Sequence, residues 1–143
     1  MTRKEHWDRL GEASWQRMAE DWLADNYQKP AELLSDDYQP SRVDLIVTEM
    51  LFDASAEKQW QFILLTASLA ETDWQLGQIG AGLIEHLLGW HKKWDDKDYI
   101  SLLEEQVKTN KNLAHSLLSV NQYMMTDEIW MRVQSLQQQI RKA

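Results

Sequence analysis

The sequence contains no cysteine among its 143 residues. This excludes disulfides, thiolate metal ligands and cysteine nucleophiles, and it suits a reducing compartment. Long hydrophobic runs are also missing, because the longest apolar-rich stretch, Phe62 to Ala70, is far shorter than the about 20 residues that span a bilayer. The first ten residues carry no apolar signal-peptide core. We therefore expect a cytoplasmic protein with no membrane partner.

Glycine and proline are scarce, with five and two copies, and no alternating β-branched run is present. Both facts favour helices over strands. Since 43% of the residues are hydrophobic, the chain can bury a sizeable core, and its length is typical of one domain. The expected fold is all-α: a single domain over residues 1–143, built as a compact bundle of about seven or eight helices. Stacked helical hairpins in an α-solenoid are the alternative.

Apolar periodicity and capping residues predict where the helices lie. One helix is expected from Lys4 to Tyr27, with Gly11 loosening it, and a short one from Pro30 to Leu34, followed by a surface loop that ends at Pro40. The remaining predicted caps are Ser41, Ser55, Thr72 in a capping box with Gln75, Asp95 or Asp96, and Thr126. The segment from Trp60 to Leu69 is apolar nearly all round, which is typical of a helix in the middle of a protein.

The net charge of −8 is unevenly distributed. Residues 31–90 contain ten acids and two bases, so this segment alone carries −8. An acidic surface repels phosphate backbones, which argues against a nucleic-acid partner, and it speeds encounter with a basic protein. Solubility alone is the simpler explanation of the acidity, and both explanations stay open.

The sequence contains no residue pattern that strongly indicates catalysis or metal binding. His86 and His91 are five residues apart and diverge by about 140° on a helix, whereas zinc ligands share one face at i, i+3 or i, i+4. The glycine-rich segment from Gly77 to Gly82 follows no predicted strand, so helix packing explains it better than phosphate binding. We expect no enzyme activity, no metal and no cofactor.

The segment from Ile79 to Asp96 is expected to be a packed helix that Gly89 ends, followed by a polar corner with Trp90 and Trp94. Two tryptophans beside two lysines suit a recognition patch, and tryptophans folded back on the core are the simpler explanation. The chain has eight tryptophans, most of them expected to be core or half-buried.

Two segments resemble those of a bacterial helical domain family of unknown function. The run from Ile79 to Leu88 is similar to its GAG-P-L-E-x-L-L segment, with Leu83 in place of the proline, and the run from Met125 to Leu136 is similar to its M-x-D-E-x-W-x-R-V segment. The resemblance implies a small helical domain and no catalytic residues. It also suggests a structural contact among Glu85, Trp130 and Arg132.

The leading functional hypothesis is a non-enzymatic acidic binding protein, most specifically an immunity protein that binds and occludes a bacterial toxin. Its partner would be a basic protein, a cognate toxin domain, and a homo-oligomer is a further expectation. The alternatives are a helical scaffold or peptide-binding domain and an enzyme with a dispersed site. The candidate partner-binding residues are Asp36, Asp37, Asp53, Glu57, Asp73, Trp90, Trp94, Asp95 and Asp96.

Overall fold

The computed structural model describes residues 2–31, 36, 39–93 and 95–143. All regular structure in this part of the chain is helical, in agreement with the predicted all-α class. The helices are α1 (Arg3–Arg9), α2 (Glu12–Asp25), α3 (Arg42–Asp53), α4 (Ala56–Leu69), α5 (Asp73–Gln78), α6 (Glu85–Trp90), α7 (Tyr99–Gln106), α8 (Lys111–Leu117) and α9 (Asp127–Lys142).

A π-helical segment, Ile79–Ile84, joins α5 to α6, so that residues 73–90 form one continuous rod. With the rod taken as one element, the described chain has eight helices, as predicted. The helix α4 and the rod lie in the middle, and α8 packs against both, while α2 packs against α3 and α4. Contacts between helices so distant in sequence define a compact bundle and not a row of stacked hairpins.

Most predicted helix starts are confirmed by their cap hydrogen bonds. Ser41, Ser55 and Thr126 each accept from the backbone N–H three residues on, and Thr72 and Gln75 form the capping box. The predicted cap at Asp95 or Asp96 is wrong: Asp98 caps α7, and Asp95 instead accepts from the Tyr99 hydroxyl at 2.9 Å.

Two predicted helix bounds are also wrong. The N-terminal helix breaks at Leu10 and Gly11, where both residues adopt extended backbone and α2 starts afresh. Gly89 does not end its helix, which continues through Trp90 into a 3₁₀ turn at His91–Lys93. Glycine is needed at position 89 for space, because a Cβ there would lie 2.6 Å from the carbonyl oxygen of Tyr123. The predicted helix through Leu34 and most of the loop after it lie outside the described residues.

The core is built around large side chains on the central helices. Phe62 and Ile63 of α4, Leu83 and Leu87 of the rod, and Tyr99 of α7 are all fully buried. Burial at about 25 cal/mol per Å² makes such side chains the main stabilising contribution. All seven described tryptophans are buried or half-buried, which confirms the expectation for them.

Four buried or half-buried amide side chains close the C-terminal ends of helices. Gln59 donates to the carbonyls of Leu51 and Ala54, and Gln137 donates to those of Leu117 and Val120. The other two donors are Gln75, to the carbonyl of Leu23 in α2, and Asn112, to that of Ala67 in α4. The last carbonyls of a helix have no partner within the helix, so each of these donors removes a desolvation cost.

Gly80 is the closest packing point between the rod and α8. A Cβ at Gly80 would lie 1.9 Å from the backbone carbonyl oxygen of Ser116, whereas a Cβ at Gly82 would meet nothing within 4 Å. The expectation that a glycine of this segment admits a neighbouring helix is therefore confirmed at Gly80.

The substitution Gly80→Ala is expected to lower the free energy of unfolding by about 1–3 kcal/mol or more, because the backbone of α8 must move. Its control, Gly82→Ala in the same segment, is expected to be neutral or to stabilise by up to about 1 kcal/mol through helix propensity. Urea denaturation of both variants measures the difference, and equal midpoints would contradict the close-approach interpretation.

The substitution Gln137→Met is expected to cost about 1–3 kcal/mol, since two buried carbonyls lose their donor while the side-chain volume is kept. Gln138→Met, one residue along on the exposed side of α9, provides the control and is expected to change stability by less than about 0.5 kcal/mol. Thermal or urea unfolding checks both, and a neutral Gln137→Met would show that these caps contribute little.

Candidate partner-binding surface

The helix α3 presents an apolar outer face. Leu45 is 56% exposed, Phe52 is 48% exposed and Ile46 is 36% exposed, so this one helix carries three of the seven large hydrophobic side chains exposed in the described chain. Leu45 and Phe52 are seven residues apart and lie on the same side of the helix. The opposite side of the helix is buried through Val47 and Met50.

Phe52 forms an aromatic cluster with His86 and Trp90. The rings of Phe52 and His86 meet edge to face with centroids 5.1 Å apart, and those of His86 and Trp90 stack at 5.8 Å. The Phe52 and Trp90 centroids are 6.2 Å apart. His86 Nε2 lies 2.8 Å from the carbonyl oxygen of Leu51, which fixes the imidazole against the end of α3. The half-exposed Phe52 ring is therefore held on a rigid base.

The indole Nε1 of Trp90 is buried and has no hydrogen-bond acceptor among the described residues. Trp90 is itself only half-buried, so its ring covers the core on one side and borders the surface on the other. The two alternatives for this tryptophan were a recognition residue and a ring folded on the core. In the structure, the Trp90 ring stacks on His86 at the edge of the core.

Acidic side chains follow Phe52 and Trp90 closely in the sequence, and Asp53 is the residue directly after Phe52. Asp53 ends α3 and Glu57 lies in the first turn of α4, so both flank the link between these helices. Glu57 is joined to Lys97 by an ion pair of 2.9 Å, which brings the segment with Asp95 and Asp96 to the same place. We call Asp53, Glu57, Asp95 and Asp96 the acidic corner. Both pairs that involve it, Glu57–Lys97 and the longer Arg3–Asp53 at 3.8 Å, are at least partly exposed.

The other predicted partner-binding residues do not join the acidic corner. Asp36 is exposed in the segment before α3, and Asp73 begins α5, where its carboxylate lies 3.7 Å from His115 Nε2. Asp37 and Trp94 lie outside the described residues. Leu45 and Phe52 were not predicted as binding residues. The sequence did contain a signal for them, because both are large and apolar and neither belongs to the face that α3 buries.

A groove runs between α3 and α1–α2, and the side of α3 that lines it adjoins the face that carries Leu45 and Phe52. It has a volume of about 840 Å³ and an apolar floor that includes Trp7, Met18 and Val43. Its rim carries three arginines and three acids: Arg3, Arg17, Arg42, Asp21, Glu49 and Asp53. Two of these arginines pair with acids of the same rim, at 3.8 Å for Arg3–Asp53 and 3.9 Å for Arg17–Asp21.

The expected contact among Glu85, Trp130 and Arg132 is wrong. Glu85 accepts from the backbone N–H of Asn121 at 2.7 Å and so holds the segment after α8. Arg132 instead binds Glu104 through two guanidinium nitrogens and donates to Ser101 at 2.8 Å, which ties α9 to α7. Glu85 and Arg132 therefore join different pairs of elements.

The described residues contain no group of three or more histidine and acidic side chains arranged to hold a metal ion. His86 and His91 bind different backbone carbonyls, those of Leu51 and Leu87. No helix in the described part of the chain is long and apolar enough to cross a membrane.

The fold and surface define a small helical domain with an apolar and acidic face. Comparison with family models places residues 34–140, about three quarters of the chain, in a family of unknown function, DUF6869, and the chain belongs to this family. The match covers α3–α9 and leaves out α1 and α2. Searches among curated proteins and among solved structures found no significant match.

Burial raises the pKa of Glu85 above its ordinary value of 4.5, and the hydrogen bond from Asn121 only partly offsets this. Because the folded-state pKa is the higher one, the ionised carboxylate costs stability at neutral pH, and this cost is relieved as the pH falls through the raised pKa. Glu85→Gln keeps an acceptor for Asn121 and removes the charge. It is expected to be more stable than the parent at pH 7, with a difference that shrinks towards pH about 4.

Urea unfolding at several pH values measures this difference. Glu20→Gln, which makes the same change at an exposed position on α2, is the control for the loss of one negative charge. A Glu85→Gln protein that loses stability at neutral pH, with a deficit that grows as the pH rises, would mean that the charge itself stabilises the fold.

Proposed function

We propose that this protein is a non-enzymatic binding protein and that its partner is a basic protein. The observation that carries the proposal is the half-exposed Phe52 ring, held by His86 and Trp90 next to the acidic corner. An aromatic side chain fixed at the surface and followed directly by the acid Asp53 has the composition of an interface anchor beside a polar rim.

The apolar residues account for affinity in this proposal. Phe52 and Leu45 lie on one side of α3, and covering them would remove apolar area from water. Because the Phe52 ring already rests on the imidazole of His86, little side-chain freedom remains to be lost on binding.

The acids account for the choice of partner. Asp53 and Glu57 of the acidic corner belong to the segment that carries the excess negative charge, and Asp95 and Asp96 come shortly after it. The ion pairs of the corner are at least partly exposed, so they are weak and a partner can replace them. Complementary charge raises the rate of encounter with a basic protein and disfavours acidic competitors.

The most specific form of the proposal is an immunity protein of the cytoplasm that neutralises a bacterial toxin by occluding a basic cleft. Occlusion requires a rigid surface, and the stacked rings of His86 and Trp90 beneath Phe52 supply one. A scaffold or peptide-binding domain is the second candidate, and the 840 Å³ groove beside α3 favours it.

The experiment is purification of the tagged protein expressed from its native operon, with mass spectrometry of any stoichiometric partner and an assay of that partner's toxicity. We expect a basic partner whose toxicity is lost in the complex. The variant Phe52→Ala and the triple reversal of Asp53, Glu57 and Asp96 to lysine are each expected to weaken binding by about tenfold or more.

The matched control reverses Glu20, Asp25 and Glu105 to lysine, which changes the net charge equally on exposed positions away from the acidic corner. This control is expected to bind within about threefold of the parent. An equal loss of affinity in both triple variants would mean that the net charge, and not the position of the acidic corner, determines binding. A partner that is acidic, or one that binds Phe52→Ala normally, would overturn the proposal.

A further inference from the structure

The outer face of α3 is also complementary to itself. Arg42, Leu45, Ile46, Glu49, Phe52 and Asp53 fall within a sector of about 120° on the helix. Along this face the charge changes sign, with Arg42 in the first turn and Asp53 in the last. Three large apolar side chains lie between these ends: Leu45, Ile46 and Phe52. Leu45 and Phe52 are both about half exposed.

We infer that, without its partner, the protein forms a twofold-symmetric dimer through antiparallel contact of α3 with α3 of a second copy. A twofold axis through the middle of the helix brings Arg42 of one copy to the end of α3 that carries Asp53 in the other, and the same contact forms twice. Leu45 of one copy is then directed towards Phe52 of the other, which removes both from water.

The side chains that make this contact are available. Arg42 is exposed and makes no ion pair among the described residues. Asp53 has only Arg3 beside it at 3.8 Å, and the Arg3 side chain is 83% exposed, so this pair is weak. In the dimer, Arg42 of the second copy replaces Arg3 as the partner of Asp53, so the Asp53 carboxylate stays paired.

The twofold symmetry also identifies one side chain that opposes dimer formation. Glu49 lies less than one turn from the middle of α3, so the two Glu49 side chains approach each other near the axis. A contact of one helix per copy is at the small end of specific interfaces, below about 1,200 Å². Together these features predict a weak dimer that forms in a concentration-dependent manner.

The inference deepens the proposed function, because the same face cannot hold a second copy and a partner at once. Phe52 and Asp53 belong to both contacts, so a basic partner must displace the dimer. Self-association then keeps the apolar face of α3 covered until the partner is present.

Analytical ultracentrifugation of the full chain at about 0.15 M salt tests the inference, since this ionic strength screens the repulsion between two copies of net charge −8. The parent mass is expected to rise from 16.9 kDa towards twice that value with concentration. Arg42→Glu and Asp53→Arg are each expected to raise the dimer Kd by about tenfold or more, and the double variant is expected to restore it to within about threefold.

Two further variants make the test specific. Glu49→Gln is expected to lower the Kd by about twofold, because it removes the repulsion at the axis. The matched controls Arg141→Glu and Asp25→Arg change exposed charges elsewhere and are expected to leave the Kd unaltered. Arg42→Glu places an acid in the first turn of α3, where it suits the helix dipole, so loss of folding does not explain its effect.

A parent that stays monomeric at all concentrations overturns the inference, as does a dimer that persists in Arg42→Glu. Single variants that break the dimer without rescue by the double variant overturn the Arg42–Asp53 pairing. These outcomes are separate from failure of the proposed function, which is judged by the identity and toxicity of the captured partner.

Discussion

Buried and half-buried amide side chains that close the C-terminal ends of helices are the interaction on which this bundle depends. A chain of many short helices has many ends, and each end leaves carbonyls that water cannot reach once the helices pack. Gln59, Gln75, Asn112 and Gln137 supply the missing donors across helix contacts. Each amide therefore stabilises the end of one helix and also fixes the position of another helix relative to it.

The continuous rod from Asp73 to Trp90 connects the packed interior to the exposed aromatic ring. Gly80 in its π-helical segment lets α8 approach closely, and Glu85 one turn later holds the segment after α8. Its last turns carry His86 and Trp90, on which Phe52 rests. The position of the exposed ring is thus set by contacts that start in the middle of the molecule.

Sequence reasoning succeeded where the signal was local and failed where the partner was distant. The hydroxyl caps Ser41, Ser55 and Thr126 lie three residues from the groups they bind, so their roles follow from spacing alone. The acceptors of Gln59 and Gln137 and the partner of Arg132 depend on how helices pack, which no periodicity encodes. For the same reason Gly89 was misjudged: it is needed for close approach of another segment and not for ending a helix. Of the surface, the acids could be found by charge counting, but the ion pair between Glu57 and Lys97, which links two acidic segments, required the fold.

The amides that close the helix ends carry no charge. The interactions that hold the fold together are therefore separate from the charged groups on its surface. Acidification and changes of ionic strength act on carboxylates and ammonium groups, so these buried bonds are indifferent to both. The same separation applies over evolutionary time. Acids on the outer side of α3 and at the neighbouring corner can be exchanged, added or reversed while the neutral donors inside keep the helices in place.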